Sequence, residues 1–185
     1  MSNFNSCQHG PWITSGDDVQ YKIEYGLDTK VYFQCTSSRN DWIDNLDFFI
    51  TPYRGCKWLA HRGFVRKYKS VSDEIMAAVE GCKSVVFIGY SQGAALALLA
   101  HEDYLYRFHK QARTICYACP RVVSWLSHGI FNGFKGLEII NHRRDIVGHV
   151  PPVLFGFRHV VKPTVFGECG SLSHKYHYPE VYKDL

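Results

Sequence analysis

Apolar positions change their spacing several times along the chain, and each change marks an element. Val19 to Tyr25 and Lys30 to Cys35 are rich in β-branched and aromatic residues, with Gly26-Leu27-Asp28-Thr29 between them as a turn, so the chain is expected to open on a β-hairpin. Thr36 to Asn45 is a polar loop carrying Trp42, Phe48 to Thr51 a short predicted strand, and Pro52 to Cys56 a loop again. Phe64, Tyr68, Val71, Ile75 and Val79 then recur at helical spacing, which predicts one amphipathic helix from near His61 to Gly81. Ser84 to Ile88 is a continuous apolar run, the pattern of a strand buried on both faces, and Gln92 to Phe108 is long, rich in Ala and Leu, and predicted helical. Arg113 to Tyr117 reads as strand, Val123 to Phe131 as weakly helical, and Leu137 to Asn141 as strand. Past Asp145, Phe157 to Val161 and Thr164 to Phe166 predict a second hairpin, followed by a short tail.

Strands that alternate with helices imply an α/β protein whose central sheet is mostly parallel, with helices on both faces. The length of 185 residues fits one domain spanning 1–185. With 46% hydrophobic and 21% charged residues, the composition excludes a disordered, collagen-like or coiled-coil chain. The 21 Lys and Arg against 17 Asp and Glu leave a mild +4, spread along the chain. The most basic stretch, His61, Arg62, Arg66, Lys67 and Lys69 interleaved with Phe64 and Tyr68, has the makings of a nucleic-acid stripe. Its apolar residues keep helical period, which reads better as a buried face with cations on the wet side, so no nucleic-acid partner is expected. Seven cysteines are an odd number, and Met1 to Gly10 lacks the pattern of a secretory leader, so a reduced, cytoplasmic protein is expected. No window approaches 18 uninterrupted apolar residues, so no transmembrane segment is expected; peripheral contact with lipid is compatible with this pattern.

The sharpest chemical signal is Gly89-Tyr90-Ser91-Gln92-Gly93, set between a predicted strand and a predicted helix. Glycines flanking the serine let strand and helix pass close together round a strained turn that lifts the hydroxyl above the sheet. A serine hydroxyl is a weak nucleophile, so it needs an imidazole to take its proton and a carboxylate to orient that imidazole. Asp145, just past the strand Leu137 to Asn141, is placed for the carboxylate. Four histidines follow it: His149 stands too near the acid, His159 falls in a predicted strand, and the tail pair His174 and His177 remains. Cys116-x-x-Cys119 raises a redox or metal reading, but a strand would turn the two thiols to opposite faces and no second pair stands at zinc spacing. No metal and no cofactor are expected.

Together these residues resemble the class 3 lipases, the fungal-lipase-like branch of the α/β-hydrolase fold, over roughly Val31 to Tyr182. Val31-Tyr32-Phe33-Gln34-Cys35-Thr36 is similar to the family's oxyanion strand, and Asp41-Trp42-Ile43-Asp44-Asn45-Leu46 to the segment after it. His61-Arg62-Gly63-Phe64, Cys119-Pro120-Arg121-Val122 and Asn141-His142-Arg143-Arg144-Asp145-Ile146-Val147 match further family segments in order. The resemblance implies a serine ester hydrolase with a Ser91, His177 and Asp145 triad, favours His177 over His174 as the base, and places the oxyanion on Thr36 and the backbone N–H of Gln92. It implies a small-molecule or lipid ester as substrate. Cys35 stands where the family has Gly, Tyr90 and Gln92 replace the commoner His and Leu, and Ala94 replaces a second Gly. The stretch matching the family's lid, Ser37 to Phe49, is polar, which favours carboxylester hydrolysis over interfacial lipolysis. The competing expectation is an inactive module that keeps the scaffold for binding.

Overall fold

A computed structural model describes residues 3–34, 49–53, 58–127 and 135–185. The central sheet has seven strands in the order β1 (Ile13–Ser15), β2 (Val19–Glu24), β3 (Thr29–Phe33), β6 (Val85–Tyr90), β7 (Arg113–Tyr117), β9 (Leu137–His142), β11 (Thr164–Phe166). β1, β2 and β3 are antiparallel, and from β3 onward every pairing is parallel. A small second sheet joins β10 (Phe157–Arg158), β8 (Val123–Ser124), β5 (Leu59–His61) and β4 (Ile50–Pro52).

The two-residue period of β6 sorts its side chains onto two cores. Val85 and Phe87 join the larger cluster, under α4 (Gln92–Phe108) with α2 (Arg62–Lys69) and α3 (Ser72–Val79) beside it. Val86, Ile88 and Tyr90 face the smaller cluster, where Phe4 of the short helix α1 (Asn3–Ser6) packs with Tyr117 and Tyr182. All six residues of β6 are buried, as the unbroken apolar run requires. Among the described residues the sheet is thus covered unequally: three helices on one face, and on the other one turn of helix with the C-terminal tail. Among the described residues no helix is long and apolar enough to cross a membrane.

Three local expectations are corrected. The helix expected from His61 to Gly81 is two helices, because Val71 leaves helical geometry at φ −127°, ψ −1°. The Ser70 hydroxyl donates to the Lys67 carbonyl at 2.7 Å and accepts the Asp17 N–H at 2.9 Å, tying the break to the loop after β1. The apolar face carries on across it, with Tyr68, Val71, Ile75 and Val79 all buried. The weakly helical stretch at Val123 begins as strand, since the β-branched Val123 pairs with Ala60 on one side and Arg158 on the other. Phe157–Arg158 and Thr164–Phe166 form no hairpin: the first joins β8, the second lies parallel to β9. The expected loop Thr36 to Asn45, with Trp42, and residues 128–131 lie outside the described residues.

Candidate active site

β6 ends at Tyr90 and α4 begins at Gln92, so the whole reversal falls on Ser91, which takes φ 58° and ψ −122°. A non-glycine residue there is strained, and the surroundings hold it. The Ser91 N–H donates to the Tyr117 carbonyl at 2.9 Å, and the Ser91 carbonyl accepts the Ala94 N–H at 3.0 Å. Both flanking glycines are sterically required: a Cβ on Gly89 would stand 2.6 Å from the Ala94 nitrogen, and one on Gly93 would stand 2.8 Å from the Phe33 carbonyl carbon and 3.1 Å from the Gln34 oxygen. The end of β3 therefore lies against the first turn of α4. Gln92 is the first residue of that helix, and the opening N–H groups of a helix have no acceptor within it. Thr36, two residues beyond Gln34, lies outside the described residues, as do Cys35 and the segment Asp41 to Leu46.

Asp145 is fully buried in the turn after β9, where its N–H donates to the His142 carbonyl at 3.0 Å. Three donors replace the water its carboxylate has lost. Oδ1 accepts the Val147 N–H at 2.8 Å; Oδ2 accepts His177 Nδ1 at 2.9 Å and the Tyr182 hydroxyl at 2.7 Å. Burial, and then the neighbouring carboxylate, push the Tyr182 phenol far up, so it stays a donor. That hydroxyl also accepts the His142 N–H at 2.9 Å.

His177 closes a single 3-10 turn, His174–His177, in the tail. Its Nε2 lies 2.8 Å from Ser91 Oγ. Because an ionised carboxylate only accepts, the network puts the imidazole proton on Nδ1 and leaves Nε2 free to accept from the serine. Tyr90 lies nearly parallel to the imidazole, with ring centroids 5.3 Å apart at 17°, and its hydroxyl donates to the His177 carbonyl. The next ring along the tail, Tyr176, stacks on His142 at 4.7 Å and 6° and takes the Arg144 guanidinium over its face at 4.3 Å.

Ser91, His177 and Asp145 thus form one hydrogen-bonded chain. His174 is exposed. His149 and His159 direct Nε2 to the carbonyls of Arg143, at 3.4 Å, and Gly148, at 2.9 Å. Burial lowers His159 to about 4. The motif around Cys119 has a structural use, since the Asn141 amide grips its backbone from both sides, accepting N–H at 2.8 Å and donating to the carbonyl at 3.1 Å. Cys116 and Cys119 share one core cluster, against the expectation of opposite faces, because Ala118 at φ 49° turns the chain between them. Cys116 donates to the Ala94 carbonyl, and burial pushes its thiol well up, away from the thiolate that redox or metal chemistry uses. Among the described residues no cluster of His, Cys, Asp or Glu is arranged to hold a metal.

Two contributors escaped the sequence reading. Tyr90 drew notice only as a departure from a motif, and Tyr182 only as the far limit of a resemblance. A tail with three tyrosines carries no signal for which of them reaches a buried carboxylate.

Residues 30–155 match the family model described as Lipase (class 3). The chain is 31% identical over 166 residues to a lipase of Rhizomucor miehei, covering 80% of this chain and 45% of that protein. It is 29% identical over 152 residues to secreted mono- and diacylglycerol lipase 1 of Fusarium solani, covering 76% and 44%. It therefore spans less than half the length of either. A solved triacylglycerol lipase described as having a serine protease triad for its catalytic centre superposes with a TM-score of 0.76 at 23% identity, over 85% of this chain and 66% of that one. That likeness carries the fold.

Proposed function

Since the chain belongs to the class 3 lipase family, we propose that it hydrolyses carboxylic esters, lipid esters among them, through an acyl-enzyme on Ser91. The observation that carries this reading is the unbroken link from Ser91 Oγ to His177 Nε2 at 2.8 Å and from His177 Nδ1 to Asp145 Oδ2 at 2.9 Å.

In the proposed reaction His177 Nε2 takes the serine proton as Oγ attacks the acyl carbon, and the carbonyl π electrons move onto oxygen. Asp145 keeps the Nδ1 proton in place and stabilises the imidazolium. The oxyanion sits on the Gln92 N–H and on Thr36; the close approach of Gln34 to Gly93 supports that pairing. One such donor contributes about 3 to 4 kcal/mol to the transition state. Collapse expels the alkoxide, which receives the proton from His177. Water then repeats the sequence on the acyl-enzyme and releases the acid. No cofactor enters.

Support for contact with a lipid surface comes from the second sheet. Phe49, Trp125, Leu126, Val153, Leu154 and Phe155 are all exposed, Leu154 by 93%. The turn at Gly156, next to Phe155, packs against Trp125 and Ile50: a Cβ there would touch the Trp125 ring at 3.2 Å and Ile50 at 3.5 Å. An apolar patch of this kind marks an interaction surface. With a mono- and diacylglycerol lipase among the similar proteins, this patch supports acylglycerol-like esters presented at a lipid surface as the substrate class, in place of the non-interfacial esters that the polar stretch Ser37 to Phe49 favours.

The test compares the protein with Ser91→Ala on an activated short-chain ester and on a monoacylglycerol in micelles. Loss of the acylation burst with the thermal midpoint kept is expected. Undiminished turnover by Ser91→Ala excludes this nucleophile, and a folded but inert parent protein favours the binding module.

A further inference from the structure

Of the groups that hold His177, Ser91 and Asp145 are the reaction itself. Two further contacts come from one residue. Tyr90 presents its ring face to the imidazole at 5.3 Å and 17°, and sends its hydroxyl to the backbone carbonyl of the same histidine. It is itself enclosed: 4% exposed, paired through β6 with Tyr117 of β7, and packed edge-on by Phe4 at 5.5 Å and 80°. The tail it holds is far less enclosed. His177 closes a short 3-10 turn with no buried residue, between the Asp145–Ser173 bridge and the next 3-10 turn, Pro179–Val181, and its neighbours His174, Lys175 and Tyr178 are exposed.

From this asymmetry we infer that Tyr90 is the positioning residue for the catalytic base, which places nucleophile and base control in one dipeptide, Tyr90-Ser91. The inference rests on the triad reading above. The ring fixes the plane of the imidazole, and the hydroxyl fixes the backbone from which it hangs. A base held in this way keeps Nε2 aimed at Oγ without spending rotamer entropy at each turnover. The ring face also lies within cation–π reach of the imidazolium that forms when the serine proton is taken, an interaction made only after proton transfer begins. The strand thereby rigidifies a tail that short-range structure does not.

The test uses the full chain with Tyr90→Phe, which keeps the face and removes the hydroxyl, and Tyr90→Leu, which removes both. Phosphonylation of Ser91 by a fluorophosphonate, with loss of fluoride, and turnover of an activated ester are followed, with the downfield imidazole Nδ1–H proton resonance as a direct report on the base. Tyr90→Phe should lower kcat by about threefold to tenfold with KM unchanged, the worth of one hydrogen bond, and broaden the Nδ1–H signal. Tyr90→Leu should lower kcat further, by about thirtyfold, and weaken a boronic-acid transition-state analogue in proportion. Should Tyr90→Leu fail to fold, the conservative Tyr90→Phe still decides: a parental rate with a sharp, unmoved Nδ1–H signal overturns the inference. A parent protein that the fluorophosphonate does not phosphonylate at all overturns the triad reading instead.

Discussion

The proposed nucleophile and its proposed base are held by different physics. Ser91 is fixed chiefly by its neighbours in the chain: a buried parallel strand before it, a helix after it, Gly89, whose missing Cβ lets these two touch, and Gly93, whose missing Cβ admits the end of β3. His177 is fixed by partners at least 32 residues away in sequence, Asp145, Ser91 and Tyr90, on a tail with almost no regular structure. The first arrangement is built by local sterics and survives as long as the sheet does. The second is assembled from a few polar and aromatic contacts, each worth on the order of 1 kcal/mol or a little more. The tail should therefore loosen before the elbow does.

The strongest way to separate the two regions is Asp145→Asn, which removes the orienting charge and leaves the elbow untouched. Acylation should slow by about 10⁴-fold, and amide exchange should rise over residues 174–182 but stay unchanged along α4. Gly93→Ala attacks the other side. Its Cβ meets the β3 backbone, which cannot yield as a flexible side chain would, so denaturant titration should show a loss of about 2 to 4 kcal/mol.

Acid should reach both regions at once. Burial lowers His101, on α4, and His159, bound to the Gly148 carbonyl near the acid, from 6.5 to about 4. Between those values the unfolded chain binds the extra protons, so stability is whole above about 6.5 and falls as the pH drops toward 4, by up to roughly 3 kcal/mol per histidine. Chemical denaturation at pH 7 and pH 4.5 measures the loss. The gentlest probe is Tyr182→Phe. It takes one of the donors from Asp145 and leaves the His142 N–H without its acceptor, so it should cost about 1 to 2 kcal/mol and slow acylation by about tenfold or less.

What the sequence makes legible follows the same division. Gly89, Ser91 and Gly93 announce the elbow because its strain and close approach are met by residue types at fixed spacing. The run Ser84 to Ile88 announces a doubly buried strand for the same reason, which the structure places at Val85–Tyr90. Asp145 is readable from its place just after β9. Between His174 and His177 the chain alone is silent, since the choice depends on how a turn docks against a strand 87 residues earlier; the family resemblance tips the balance toward His177, the histidine that faces Ser91. Val123 misreads as weakly helical because its strand pairs with residues on both sides that lie far off in sequence. The break at Val71 is hidden because the apolar period runs through it.

The most direct test compares fluorophosphonate labelling rates of the parent protein, His177→Asn and His174→Asn, with the modified peptide mapped in each. The label is expected on Ser91, at a rate lower by about 10³-fold or more in His177→Asn and at the parental rate in His174→Asn. Labelling that persists without the His177 imidazole, or that disappears with His174 instead, would contradict His177 as the base.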